Sequence, residues 1–348
     1  MKPWLWLPAQ LSHDLAPFGL ELAALATAPV EADARSFTWK RKGRQIFFRN
    51  PLGIAGGVDK DGRQISSWQH FGAGFVEIGT VTPLAQKPNP GRIMSRETKT
   101  ESLWNKMGFP SPGAHATRLL VRDWRVKEAL RSSEMGQDFR FPIFINIGKQ
   151  RDTTLEKANE DYLALIETFM DPSRAIEERP LADAFVINIS SPNTKGLRDL
   201  FSQARLRSFL SPIADTLQRF QIPGLLKLSP DMDVETRHSC WNVISELALD
   251  GLVATNTTAA RPQGFTHLPT EGGLSGAPLT IRSRDFLKTA LHELGQRRSG
   301  LLVISAGGVL DGEEARLRLD LGADCVQTYS GLVFSGPRFF HQALRQLV

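Results

Sequence analysis

The sequence predicts an α/β chain built as a (β/α)8 TIM barrel with a short N-terminal helical extension, and three observations carry that prediction. From residue 45 onward, eight β-rich apolar runs alternate with helix-length amphipathic stretches, the pattern of parallel β/α units. The 348 residues accommodate the ~250 that such a barrel uses and leave an extra piece at the N-terminus. The rival doubly wound sheet wants G-x-G-x-x-G in its first unit, and the glycines of GIAGGVDK are spaced wrongly for it.

The extra piece comes first. Pro3–Val30 is rich in Trp, Leu, Phe and Ala, but Pro8, Asp14, Pro17 and Glu21 interrupt it, so no apolar run reaches the ~18 residues of a spanning helix. It also lacks the charged start and acid-free apolar block of a signal peptide. Two short amphipathic helices, broken near Pro8 or Pro17, are the expectation. Arg35, Lys40, Arg41, Lys42, Arg44 and Arg49 follow with no acid between Arg35 and Arg49. Apolar helices beside such a cluster read either as a segment lying on an anionic membrane surface or as a helical pair packed on the barrel with a solvated basic loop. The expected boundary sets an extension over 1–44 apart from a catalytic barrel over 45–348.

The predicted strands are 51–57, 74–80, 142–148, 184–190, 224–229, 251–256, 301–308 and 323–330. Helices are predicted at 61–71, 155–170, 203–220, 234–249, 280–296 and 312–322, with a closing helix at 337–348. The stretch 81–141 is longer than one connecting helix requires. It reads as a functional loop followed by a helix near 114–131.

Composition excludes several classes. With 41% hydrophobic and 23% charged residues and no repeat, the chain is an ordinary globular one. Cys240 and Cys325 are far apart in no metal-ligand spacing, so neither a disulfide framework nor a metal site is expected. A net charge of +5 without an aromatic-basic stripe points away from nucleic acid.

Barrel chemistry sits at the C-terminal strand ends. In order these ends carry Lys60, Thr80, Asn146, Asn188 to Asn193, Lys227, Thr255-Asn256-Thr257, Gly307-Gly308 and Tyr329-Ser330. A single lysine or asparagine there is usually a solvated loop residue or a turn-former; eight polar ends together predict a site. Gly307-Gly308 and Tyr329-Ser330 follow strands seven and eight, where barrels bind phosphate. Gly272, Gly273 and Gly276 offer a further close-approach loop. One phosphate site with two barrel lysines suggests a flavin mononucleotide, with Lys227 placed to stabilise negative charge on its reduced ring. Asn105, Asn188, Asn193 and Asn256 would complement a heterocycle of alternating N–H and C=O groups.

NPLGIAGGVDKDG, GFVEIGTVTP, NKMGF, NISSPNTKGLR, LLKLSPD, VATNTT, GGLSG and YSGLVFSGP stand in the order seen in dihydroorotate dehydrogenases, and the chain resembles the quinone-dependent (class 2), membrane-associated branch of that family over nearly its whole length. NISSPNT with ATNTT is the specific part; GGLSG alone would be weak. The resemblance implies FMN, dihydroorotate oxidised to orotate in de novo pyrimidine biosynthesis, and electrons passed to a membrane quinone. It implies a peripheral enzyme on the cytoplasmic face of a bacterial inner membrane, without an obligate protein partner. Ser191 would be the catalytic base that takes the C5 proton, where the soluble-acceptor branch uses cysteine. Lys60, Asn105, Lys106, Met107, Gly108, Phe109, Asn188, Asn193, Asn256 and Thr257 would meet the substrate. Gly56, Gly57, Lys60, Thr80, Asn146, Asn188, Lys227, Thr255, Gly276, Gly308, Tyr329 and Ser330 would hold the flavin. Arg96 and Tyr329 would line a quinone tunnel with the N-terminal helices at its mouth.

The sequence departs from the family pattern at Gly56 (usually alanine), Gln150 (commonly asparagine), Pro110 (asparagine in the quinone branch) and the Thr-Glu order of TEGG. Pro17 falls near a histidine typical of the quinone mouth. These bear on quinone and substrate contacts rather than on the reaction. The alternatives are a soluble-acceptor enzyme of the same family and a flavin-binding barrel without catalysis.

Overall fold

The structure, a computed structural model, describes residues 2–31, 33–135, 140–170, 179–192, 200 and 202–347. After a 3-10 turn at Pro3–Leu5, helix α1 (Ala9–Ala26) leads to an antiparallel hairpin of β1 (Phe37–Arg41) and β2 (Arg44–Phe48). The barrel strands are β3 (Leu52–Ile54), β4 (Phe75–Val81), β7 (Ile143–Ile147), β8 (Ala184–Asn188), β9 (Gly224–Leu228), β10 (Gly251–Ala254), β12 (Leu302–Ala306) and β13 (Cys325–Thr328). They close in that order into one parallel barrel, β13 pairing with β3. All eight coincide with predicted strands. Most end earlier than predicted, as 184–190 shortens to Ala184–Asn188, because their last residues leave the ladder to build the site.

The helices are α2 (Ile65–His70), α3 (Ala114–Met135), α4 (Ala158–Met170), α5 (Gln203–Arg219), α6 (Val234–Glu246), α7 (Ala277–Leu294), α8 (Gly312–Asp320), α9 (Ser330–Ser335) and α10 (Arg338–Leu347). Their apolar faces and the outward strand residues make the main core, which includes Trp68, Val76, Ile145, Tyr162, Trp241 and Phe340. Between β4 and α3, strands β5 (Met94–Glu97) and β6 (Ser102–Asn105) join β11 (Gly273–Gly276) in a small antiparallel sheet.

The hairpin has a different role from the one expected. Lys42 and Gly43 both take positive φ (49° and 78°), the geometry of a two-residue hairpin turn. Trp39, Ile46 and Phe48 then pack on the inward residues of the lower barrel, including Phe75, Phe144, Val186, Leu225, Leu302 and Cys325. Phe48 meets Phe75 edge-on at 5.5 Å. The hairpin therefore plugs the N-terminal end of the barrel. A boundary at residue 44 would cut through it.

Its cations are largely consumed there. Arg44 donates to Asp250 at 2.6 Å and to the Ile222 carbonyl at 3.2 Å, and Lys42 reaches the Ala248 carbonyl at 3.4 Å. Arg35 and Arg49 bond Asp320 and Asp33. Four of the six cations thus meet carboxylates, Lys40 and Lys42 stay exposed, and the cavity-lining first turns of α1, with His13, lie at the opposite end of the barrel.

That helix also corrects an expectation. The chain breaks at Pro8, but α1 continues through Pro17. Proline removes one N–H and crowds the preceding turn, yet Leu20, Ala23 and Ala24 pack on the main core beyond it and hold the helix in place. The opposite face carries Leu11, Leu15, Phe18, Leu22 and Leu25 outward, Phe18 at 63% and Leu25 at 86% exposure. Among the described residues no helix is long and apolar enough to cross a membrane.

Candidate active site

A cavity of about 1080 Å³ opens at the C-terminal strand ends and runs out beneath α1. The lower barrel is apolar; directly above it the interior turns polar. Glu77 of β4, Asn146 of β7, Lys227 of β9 and Gln327 of β13 are all buried in this layer. Lys227 Nζ lies 2.6 Å from Glu77 Oε1.

From there a chain of amides climbs the cavity wall. Asn188 Nδ2 donates to Asn146 Oδ1 at 3.2 Å and to Thr80 Oγ1 at 3.0 Å. Asn188 Oδ1 receives Ser190 Oγ at 3.3 Å and Asn256 Nδ2 at 3.4 Å. Asn256 Oδ1 in turn accepts the Thr257 backbone N–H at 2.8 Å. Ser191 is buried on the same wall. Gly273 sets the spacing opposite, since a Cβ there would lie 1.9 Å from Thr257 Oγ1.

The seventh strand end forms a cradle. Gly307 (φ 103°) and Gly308 (φ 68°) sit in the left-handed region, and a Cβ on Gly308 would come within 2.5 Å of the Thr280 nitrogen. The Gly307 carbonyl is held from behind by Ser283 Oγ at 2.6 Å and Arg318 Nη2 at 2.8 Å, and the Gly308 carbonyl by Thr280 Oγ1 at 2.7 Å. A trans peptide sets C=O and N–H on opposite sides, so these grips hold the N–H groups of Gly308 and Val309 on the side away from the gripping side chains. Arg318 is completely buried and also bonds Glu314 and Ser305. Sequence reasoning missed it, because an arginine in a helix carries no local signal of what lies behind it.

At the mouth, Lys60 Nζ meets His13 Nε2 of α1 at 2.6 Å. Burial lowers the Lys60 pKa to about 8, against the opposing pull of Asp59, Asp61 and Asp14. Burial and the adjacent Lys60 lower that of His13 to about 4. Arg96 of β5 donates to the carbonyls of Trp4, Leu5 and Leu7 at 3.1, 3.2 and 2.8 Å and to Ser12 Oγ at 3.4 Å. Tyr329, its pKa pushed up to about 12 by burial, closes the wall near Val333, whose carbonyl takes the Trp4 indole N–H at 2.8 Å.

A family model described as "Dihydroorotate dehydrogenase" matches residues 40–348. The chain belongs to the dihydroorotate dehydrogenase family. It is 38% identical over 310 residues to "Dihydroorotate dehydrogenase (quinone)" of Cupriavidus necator, covering 87% of this chain and 84% of that one. It is 36% identical over 347 residues to the protein of the same name from Halorhodospira halophila, covering 97% and 92%. Among solved structures it resembles the dihydroorotate dehydrogenase of Eimeria tenella in complex with ferulenol, with a TM-score of 0.81 at 28% identity over 98% of this chain and 90% of that one.

Most of the residues that the family resemblance singled out converge on the cavity. Gly56, Gly57, Lys60, Thr80, Asn105, Met107, Gly108, Phe109, Asn146, Asn188, Ser191, Lys227, Thr255, Asn256, Thr257, Gly308, Tyr329, Ser330 and Arg96 all line it. Two do not. Lys106 turns away to an ion pair with Glu271, and Gly276 is spent as the N-cap of α7 against the Glu101 carbonyl, leaving Ser275 to line the cavity. Asn193 lies outside the described residues. Pro17 lines the cavity, and so does His13, one helical turn earlier.

Proposed function

We infer that the chain carries out the reaction its relatives are named for, oxidising dihydroorotate to orotate and delivering the electrons to a quinone. The observation that carries this reading is the convergence of Ser191, Lys60, the asparagine chain and Lys227 on one cavity that continues beneath a helix with an outward apolar face. The family is a flavin-dependent one, and we propose FMN as the flavin. The residues present fit it: the Cβ-free backbone of Gly307-Gly308 and Ser330 at the cavity wall, with Lys227, Asn146, Thr80 and Asn188 lining the same cavity. A flavin held by these residues would supply the hydride acceptor for C6 of the substrate and the two-electron donor to the quinone.

The protein's own residues supply the remainder. Lys60 attracts the substrate carboxylate, and Asn105, Asn188, Asn256 and Thr257 orient the ring by its N–H and C=O edges. Ser191 Oγ takes the C5 proton as the C6 hydride departs, so that the C5=C6 bond forms, and it gives up its own hydroxyl proton to a neighbouring hydroxyl or water. Met107, Phe109 and Tyr329 exclude solvent. The quinone enters between α1 and β5, past Arg96 and Tyr329. The exposed stripe of α1 rests on the membrane surface that supplies it, at the cytoplasmic face, which makes the protein a peripheral one.

The test is anaerobic. The purified protein is expected to be yellow, to bleach with dihydroorotate and to recover its colour with a quinone. A colourless protein that takes up no flavin overturns the reading. A yellow one that bleaches but is reoxidised only by soluble nicotinamide or fumarate moves it to the soluble-acceptor branch.

A further inference from the structure

Glu77 is completely buried below the cavity and does not line it. Its carboxylate collects three donors from three other strands. Lys227 Nζ (2.6 Å) and Asn146 Nδ2 (2.5 Å) share Oε1, and Gln327 Nε2 (2.7 Å) takes Oε2. A carboxylate only accepts, so Asn146 must turn its NH2 downward to Glu77 and its Oδ1 upward. Asn188 must then donate to Asn146, at 3.2 Å, and present its own Oδ1 to Asn256, at 3.4 Å. One buried group thereby fixes the donor and acceptor polarity of three amides along the cavity.

It does a second thing as well. A buried charge is tolerated only with a partner, and the layer just beneath shows that apolar residues can fill this barrel. Glu77 instead sets a negative charge against Lys227, the cation facing the flavin position. Gly56 provides the space, because a Cβ there would stand 2.2 Å from Glu77 Oε1 and 3.1 Å from Asn146 Nδ2. This gives a local physical reason for glycine at the position where the family usually carries alanine.

We propose that Glu77 is a positioning residue for the flavin site: it holds Lys227 and the Asn146–Asn188–Asn256 chain in one orientation, and its charge offsets that of Lys227, keeping the potential of the bound flavin below the value the lysine alone would set. Adding electrons to a flavin adds negative charge, so removing a nearby anion makes reduction easier.

The proposal rests on the flavin reading above, and the experiment separates the two. Flavin content, the visible spectrum and the midpoint potential of the bound flavin are measured for the wild-type protein, Glu77→Gln and Glu77→Asp. Wild-type protein without flavin defeats the functional reading, not this inference. With flavin bound in all three, Glu77→Gln is expected to shift the potential to a less negative value and to move the flavin absorption bands, while Glu77→Asp, which keeps the charge, stays near wild type. Equal shifts in both variants, or no shift in Glu77→Gln, overturn the proposal. If Glu77→Gln does not fold, Gly56→Ala crowds the carboxylate off Lys227 and is expected to move the potential in the same direction; an unchanged potential there overturns it equally.

Discussion

Lys60 Nζ stands 2.6 Å from His13 Nε2, joining the first barrel strand end to a helix 47 residues earlier. Two charged groups cannot share that distance, so the histidine is the neutral acceptor and the lysine the donor. Burial has lowered the Lys60 pKa from 10.5 to about 8. In the proposed reaction the anionic substrate binds the charged lysine, so KM for dihydroorotate is expected to rise above about pH 8, approaching tenfold per unit, while kcat changes less. Because the folded value lies below the unfolded one, the destabilisation from burying this lysine is full below about pH 8 and disappears as pH rises to 10.5. Lys60→Met should raise KM at pH 7 and flatten its rise above pH 8; steady-state kinetics from pH 6 to 10 decide the matter.

The same contact makes the seating of α1 sensitive to acid. His13 is held neutral, with a pKa lowered from 6.5 to about 4, first by burial and then by Lys60. Docking is therefore complete above pH 6.5 and weakens as pH falls toward 4. Limited proteolysis should cut within residues 2–26 progressively faster across that window, and His13→Gln should lessen the dependence. Proteolysis that is constant from pH 7 to pH 4 would contradict the assignment.

Ser191 lines the cavity just beyond the end of β8, and in the proposed reaction it takes the C5 proton. Ser191→Ala is expected to slow flavin reduction by dihydroorotate by ~10²–10⁴-fold, with flavin content unchanged. Ser191→Cys should retain part of the rate. Stopped-flow bleaching of Ser191→Ala at the wild-type rate would remove it from the mechanism.

Arg96 serves as a clasp. It donates to three carbonyls in the Trp4–Leu7 segment, which has few helical partners of its own. A hydrogen bond to a charged group contributes roughly 1.5–3 kcal/mol net of the exchange with water. Arg96→Ala should free that segment and raise KM for a long-tailed quinone, with bleaching by dihydroorotate unchanged. Arg96→Lys should rescue little, since an ammonium lacks the planar fork. Equal KM values in wild type and Arg96→Ala would exclude the clasp.

How far these features could be read from the sequence follows from their range. All eight barrel strands were legible because parallel strands buried on both faces appear as apolar runs such as AFVIN, and the strand-end residues follow from the strands. His13, Glu77 and Arg318 were not. Each acts on a partner more than ten residues away, and nothing in SHD, FVEIG or EARLR marks a cavity-facing histidine, a lysine's counter-ion or the back of a glycine cradle. The hairpin was misread because six cations in fifteen residues look like an exposed patch. Only the fold brings Asp250, Asp320 and the strand-start carbonyls to them.

That reassignment decides what membrane binding should look like. The apolar stripe of α1, Trp6, Leu7, Leu11, Leu15, Phe18, Leu22 and Leu25, is exposed at the mouth of the cavity. Arg41 and Arg44 are tied to Asp250 at the opposite end of the barrel. A surface that docks through the stripe cannot also engage those cations. Apolar burial contributes about 25 cal/mol per Å² and is not screened by salt, whereas each basic residue at an anionic surface would add about 1 kcal/mol that is. Flotation on liposomes should accordingly change little between low and high salt, and little between neutral and anionic lipid. Phe18→Glu with Leu22→Glu should abolish it. Removing residues 2–26, while sparing Val30 and its N–H bond to the His70 carbonyl, should leave bleaching by dihydroorotate intact and impair reoxidation by long-tailed quinones far more than by a water-soluble dye. Binding that vanishes in high salt would return the basic hairpin to the membrane. A truncated protein that reduces both acceptors as fast as the full chain would make α1 a packing element alone.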